Sequence, residues 1–223
     1  MIYNSTVKTL GIIAMASGLL AVLFYILHDV IGSMCYPGYD PMSQAVSDLT
    51  ALDAPSFAVA SGISSVWGIF SCICCIILCI MVKGEPKAIK IGIYLFAAMQ
   101  FTSAIGYSLF PLSSAGYDGS MQSFIHVYVL TITVVILSIA SLLTLTIGGM
   151  RNDERTLAIL SLAAFLFMLA GATGSAMVPQ DIFGIVERFS TYSAVVFLGI
   201  LGVLAYKAVI REEIWQASSH RIV

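Results

Sequence analysis

CYPGYDPMSQAVSDL, residues 35–49, is a polar island between two long apolar runs, LGIIAMASGLLAVLFYILHDVIGSM (residues 10–34) and Ser56–Val82. At about 1.5 Å of rise per residue, each flanking run is long enough to cross a hydrocarbon core of about 30 Å, which makes the island a connection lying at a membrane surface. Asp40-Pro41 reads as a helix start. The carboxylate accepts from the first free backbone N–H groups, and proline loses nothing at the first helical position. From there Met42, Ala45, Val46 and Leu49 share one helical face, while Gln44, Ser47 and Asp48 share another. The spacing therefore predicts a short amphipathic helix over Pro41–Leu49, with a polar side that covers whatever lies beneath it.

Working outward from the island, six apolar runs appear: Leu10–Met34, Ser56–Val82, Ala88–Phe110, Met121–Met150, Thr156–Val178 and Ile182–Tyr206. With 223 residues, 59% apolar and 10% charged, and a mean hydropathy of +0.99, the chain reads as an all-α integral membrane protein. A single six-transmembrane-helix bundle over residues 1–223 is expected, with the short amphipathic helix in its first outer loop. No stretch longer than a loop is polar enough to form a soluble module, so any function must be carried by the bundle. The first run lacks a basic flank beyond Lys8 and a small-x-small cleavage site, and reads as an uncleaved helix. A formal net charge of −2 and the lack of a basic stripe interleaved with aromatics speak against nucleic acid as a partner. The partners expected are the lipid bilayer and a lipid or small-molecule ligand.

Positive charge orients the bundle. Lys8, Lys83, Lys87, Lys90, Arg151, Arg155, Lys207, Arg211 and Arg221 all fall at the termini or in the second and fourth loops, and Arg188 is the exception. Lys and Arg are retained on the cytoplasmic side, so both termini are expected there, in a multi-pass protein of the cell membrane. The Asn4-Ser5-Thr6 sequon would then escape modification. The opposite, outer face carries Asp40, Asp48, Asp53, Asp118 and Asp181 without a basic residue in its loops. Asp53, Asp118 (with Ser120) and Asp181 each precede an apolar run and read first as helix caps. Tyr36-Pro37, Phe110-Pro111 and Val178-Pro179 close the first, third and fifth runs, each followed by an Asp, as three repeated helical hairpins would require.

His28, Asp29, Asp48, His126, Glu187 and Arg188 remain after the caps. His126 and Glu187 are expected about 9 Å below the outer helix ends, His28 about 12 Å, and Tyr107 near the same level. Ionisable groups at that depth face the interior, pair, or line a wet cavity. The expectation is a polar chamber in the outer half of the bundle. His126, Asp48 and Glu187 are its catalytic candidates; His28, Ser47, Arg188 and Tyr107 are its ligand-binding candidates. Ser47 lacks the strained strand-to-helix turn that activates a nucleophilic serine. His28 and His126 with Asp48, or with Asp29 or Glu187, offer nitrogen and oxygen donors acceptable to zinc, without metal-ligand spacing on any one helix. A metal-free pair, in which Asp48 or Glu187 orients His126, would suit hydrolysis or transfer on a lipid headgroup. The structural alternative stays open: each of these groups as glue between helices, as Glu187 beside an interface-seeking Arg188 would be. Cys72, Cys74, Cys75 and Cys79 read as small apolar residues, and the Gly171/Gly174 and Gly199/Gly202 pairs as close-packing points.

The order Tyr36-Pro37-Gly38-Tyr39-Asp40-Pro41, then Ser47-Asp48-Leu49, Phe110-Pro111, His126 and Gly184-Ile185-Val186-Glu187-Arg188, resembles the bacterial and archaeal membrane family known as domain of unknown function 998, over nearly the whole chain. The resemblance implies a six-helix bundle and brings no established activity. A more distant likeness to membrane hydrolases of the alkaline ceramidase type rests on Ser, Asp and His in a helical bundle; the late His-x-x-x-His pair of those enzymes is missing here. The sequence thus supports an outer-leaflet chamber for a small molecule or lipid headgroup, in a binding protein or a lipid-modifying hydrolase or transferase. A transporter or a structural subunit of a larger membrane complex is the alternative. A transporter would be expected to break a span mid-membrane with Gly and Pro, which none of the six does.

The orientation is checked by cysteine labelling in a chain whose native thiols are replaced. A probe at Ser114 is expected to react from outside the cell and to stay silent to a cytosolic reagent; the reverse pattern inverts the topology.

Overall fold

The computed structural model describes residues 2–219, with side chains described for residues 5–211, and six long helices dominate the described residues. They are α1 (Ile2–Met34), α2 (Phe57–Met81), α3 (Lys87–Leu109), α4 (Met121–Arg151), α5 (Arg155–Gly174) and α6 (Phe183–Ser219). All six are long and apolar enough to cross a membrane. The expected spans are therefore present, with α5 ending a turn earlier than Val178. Along the chain each helix packs against the next, and α1 packs against α6, so the bundle closes into a ring. One end carries the connections 35–56, 110–120 and 175–182 and is called the acidic end below; the other is the basic end.

The ring is apolar on its outer surface as well as in its core. Large apolar residues such as Ile69, Ile136 and Ile159 point outward at 59, 59 and 66% exposure, as a lipid solvent allows. The core is filled by Trp67, Phe96, Met99, Leu142, Phe197 and Leu198, drawn from α2, α3, α4 and α6. Small and hydroxylated residues sit at the crossings. Thr146 of α4 donates to Ser161 of α5 at 3.0 Å, and the Cys74 thiol of α2 donates to the Ala14 carbonyl of α1 at 3.3 Å. At Gly202 a Cβ would stand 2.5 Å from the Ala14 carbonyl, and at Gly171 it would collide with the Ser190 backbone. Both glycines are thus close-approach points, one between α1 and α6 and the other between α5 and α6.

The connection from α1 to α2 lies on the acidic end and is held there by Arg188 of α6. Its Nε and Nη2 form a fork on the Asp29 carboxylate of α1, at 3.0 and 2.7 Å. Nη2 also donates to the Tyr39 hydroxyl at 2.9 Å, and Nη1 reaches the carbonyls of Pro41, Gln44 and Gly184 at 2.8, 3.0 and 2.9 Å. Tyr192, one turn along α6, donates to the same Asp29 at 2.9 Å, and Tyr39 donates onward to the Ala45 carbonyl at 2.7 Å. Gly184 makes room for this, because a Cβ there would strike the Gln44 and Pro41 carbonyls.

These contacts correct the expected helix over Pro41–Leu49. Asp40 does cap a single turn, accepting from Met42 N–H at 3.0 Å and from the Ser43 hydroxyl at 2.8 Å, but the turn stops there. The regular element is a 3₁₀ helix, Val46–Thr50. It buries Val46, Leu49 and Asp48 together, while Met42 is 49% exposed, so the apolar face is shorter than read. Two of the three expected caps also change. Asp118 accepts from Ser120 N–H and the Ser120 hydroxyl accepts from Ser123 N–H, as expected for the start of α4. At the start of α2 the cap position is Ser56, with no capping bond from Asp53. Asp181 lies inside a 3₁₀ turn, Gln180–Ile182, and makes no capping bond there.

Breaking a buried, hydrogen-bonded ion pair from one side leaves a desolvated charge and costs about 3 kcal/mol. Arg188→Met is therefore expected to lower the melting temperature of the detergent-purified bundle and to expose residues 35–56 to protease. Asp29→Asn combined with Arg188→Met should recover part of the loss. Wild-type melting in the single variant would show that the fork contributes nothing.

Candidate functional site

Two helices lose their regular winding beneath the acidic end. α3 widens into a π turn at Thr102–Gly106 and α4 does so at Ile125–Leu130. The two π segments face each other, with Leu130 filling the space left by Gly106, where a Cβ would lie 2.7 Å from the leucine. Such widened turns interrupt the backbone ladder and occur frequently at functional sites. In α4 both the backbone N–H and the hydroxyl of Thr131 turn to the His126 carbonyl, the hydroxyl at 2.9 Å.

His126 sits in the second π turn and is 5% exposed. Its Nδ1 lies 2.8 Å from the Phe110 carbonyl. A carbonyl only accepts, so Nδ1 carries the proton and Nε2 keeps its lone pair. That nitrogen has no hydrogen-bond partner among the described residues. The Tyr107 ring lies against the imidazole with centroids 4.6 Å apart. Because the Thr131 hydroxyl is spent on His126, the Tyr107 hydroxyl donates to Thr131 Oγ1 at 3.0 Å. Glu187 of α6 lies within electrostatic range of Tyr107 and of Tyr25. Among the described residues its carboxylate has one protein hydrogen bond, from Val46 N–H at a long 3.4 Å.

His126 and Tyr107 are thus in direct contact, with Glu187 in electrostatic range of Tyr107, and the His126 Nε2 and the Glu187 carboxylate keep hydrogen-bonding capacity. The other sequence candidates are placed differently. Arg188 uses its guanidinium on the fork to Asp29 and on three carbonyls, so it holds the α1–α2 connection. Asp48, 6% exposed, staples two connections together by accepting from Ala45 N–H at 3.1 Å and Gly116 N–H at 2.9 Å. Burial pushes its carboxyl above the ordinary range, against the pull of those two N–H groups. Ser47 is half-buried, and its carbonyl accepts from the Thr50 hydroxyl at 3.1 Å. His28 is 4% exposed, edge-on to Tyr25 at 5.8 Å, with neither ring nitrogen partnered among the described residues.

His28, His126 and Asp48, the metal candidates, do not form a three-donor cluster. Among the described residues no three His, Cys, Asp or Glu side chains come together as a metal ion needs. His126 has turned one nitrogen to a backbone carbonyl, and both oxygens of Asp48 are occupied by N–H groups.

Sequence reasoning missed several participants. Tyr25 meets His28, Trp67 and Tyr192 edge-on, with Trp67 at 5.5 Å and Tyr192 at 5.4 Å. It lies three residues before His28, on the same helical face, so its position was available from spacing. Thr131 and the Phe110 carbonyl were not, since a π turn shifts the register by one residue without a mark in the sequence.

A family model described as "Protein of unknown function (DUF998)" matches residues 19–204, a stretch that contains Asp29, the acidic-end connections, both π turns and the Glu187-Arg188 pair. No curated protein sequence and no solved structure matches the chain. The helical membrane bundle with its acidic-end cluster is therefore that of a polytopic protein belonging to the DUF998 family of unknown function.

Proposed function

We propose that the cluster of His126, Tyr107 and Glu187 binds a lipid headgroup or small molecule that offers hydrogen-bond donors, with the acidic end facing outward and both termini cytoplasmic in the cell membrane. One observation carries the reading: the Phe110 carbonyl fixes the His126 tautomer and leaves Nε2 as an unused acceptor, and Tyr107, in ring contact with that imidazole, lies within electrostatic range of the Glu187 carboxylate with its long hydrogen bond. Groups that merely glue helices are satisfied by their neighbours, as Arg188 and Asp48 are. Acceptors held unsatisfied in a low-dielectric setting are costly unless a partner supplies the donors. An amine or a hydroxyl on the ligand is the complementary chemistry. The fixed tautomer also favours a second reading, in which Nε2 acts as general base in hydrolysis or transfer on that headgroup.

Native mass spectrometry of the bundle purified with its lipids tests the proposal, with zinc analysis alongside. Wild type is expected to carry a bound species that is lost or reduced at least tenfold in Glu187→Gln and in His126→Phe, since hydrogen bonds to charged groups are worth about 1.5–3 kcal/mol. Both variants should keep near-native melting. The same bound species in wild type and both variants would leave the cluster a structural one.

A further inference from the structure

At the other end of the bundle a groove of about 290 Å³ runs along the outside, between α1, α5 and α6. Its walls are Leu19, Val22, Leu160, Gly199 and Val203, and at the basic end it finishes at Thr156 and Lys207. Gly199 lets α6 lie close against α1 along the groove, since a Cβ there would press on Val22 at 2.8 Å. A groove this apolar, lying within helices that cross a membrane, is filled by hydrocarbon and not by water.

Its dimensions and charge select the occupant. Val196 and Lys207 both line it, and the eleven residues of helical rise between them come to about 16 Å. Half of a hydrocarbon core of about 30 Å is about 15 Å, so the groove runs the depth of one leaflet. The volume lies near the small end of ligand sites, which suits one acyl chain and leaves the headgroup outside. The headgroup would sit where Lys207 ends the groove. Arg211 is engaged by Glu154 at 3.2 Å, whereas Lys207 and Arg155 have no carboxylate partner among the described residues. A lysine at that depth lays its aliphatic stem along apolar surface and presents its ammonium at the interface. We infer that this groove holds one anionic phospholipid of the leaflet at the basic end, with an acyl chain between α1, α5 and α6 and its phosphate on Lys207. The site is remote from the acidic-end cluster and stands whether or not that cluster binds a ligand.

The test uses the full chain in detergent, titrated separately with phosphatidylglycerol, phosphatidylcholine and glycerol phosphate and read by native mass spectrometry. One phosphatidylglycerol per chain is expected to bind in preference to phosphatidylcholine, and glycerol phosphate alone should not compete, because the acyl chain supplies the seat. Lys207→Gln should weaken phosphatidylglycerol about tenfold, the worth of one charge-assisted hydrogen bond, with Lys207→Arg restoring it. Val203→Trp fills the groove and should abolish binding of both lipids at unchanged melting temperature; Thr156→Phe, on the exposed rim, does the same should the tryptophan variant not fold. Equal retention of the two phospholipids, or wild-type binding in Lys207→Gln together with a groove-filling variant, would overturn the inference and leave only non-specific annular lipid.

Discussion

A guanidinium inside a membrane bundle must use its donors, and the placement of Arg188 follows from that constraint. Each unsatisfied N–H in a low-dielectric interior costs free energy on the scale of a lost hydrogen bond, so the side chain gathers acceptors until none of its five N–H groups is idle. Asp29 supplies a two-point partner from α1, Gly184 a carbonyl from α6 itself, and Tyr39, Pro41 and Gln44 an acceptor set from the long connection. One residue thereby closes the ring between its first and last helices and fixes what lies over it. The close crossing at Ala14 and Gly202 joins the same two helices nearer the basic end, by contact of backbones instead of charge.

The same fork explains why the connection is not the helix that its sequence suggests. An α-helix from Pro41 would need the Pro41 carbonyl for Ala45 N–H and the Gln44 carbonyl for Asp48 N–H. Arg188 takes both carbonyls. Ala45 N–H goes to the Asp48 carboxylate instead, and Asp48 N–H closes a tighter turn onto the Ala45 carbonyl at 3.2 Å. Local preference for a helix start at Asp-Pro is worth on the order of 1 kcal/mol, which a charged, multiply bonded arginine outweighs. Ser56 departs from capping for a similar reason: its hydroxyl donates to the Leu49 carbonyl at 2.8 Å, tying the 3₁₀ segment to the start of α2.

What was legible in the sequence follows from period and length. The spans show because apolar stretches must match the bilayer, and the glycine pairs at 171 and 202 show because close crossings exclude a Cβ. His126, Tyr107 and Glu187 could be assigned a common depth by counting residues from the helix ends. Their division of labour with Arg188, Asp48 and His28 could not, because it depends on which carbonyl or N–H a side chain meets. The π turns of α3 and α4 were equally hidden: each adds a single residue to a turn, and both occur in stretches whose apolar pattern is too uniform to register a slip.

Glu187 and Arg188 make the distinction between holding and binding at adjacent positions. Neighbours on a helix point about 100° apart, so Arg188 meets Asp29 and the connection while Glu187 turns to Val46 N–H, within electrostatic range of Tyr107 and Tyr25. The arginine is saturated and the glutamate is not. Unsatisfied capacity recurs elsewhere in the bundle, at both ring nitrogens of His28, at Trp67 Nε1, at Ser71 Oγ and at Gln100 Nε2, all buried and without protein partners among the described residues. Polar atoms buried in this way are ordinarily met by ordered water, at a frequency on the order of one molecule per 27 residues. Tyr25, in ring contact with both His28 and Trp67, joins this set to Glu187. Unspent hydrogen-bonding capacity in this part of the bundle thus gathers around Tyr25, at His28 and Trp67, away from the acceptors that Arg188 has taken.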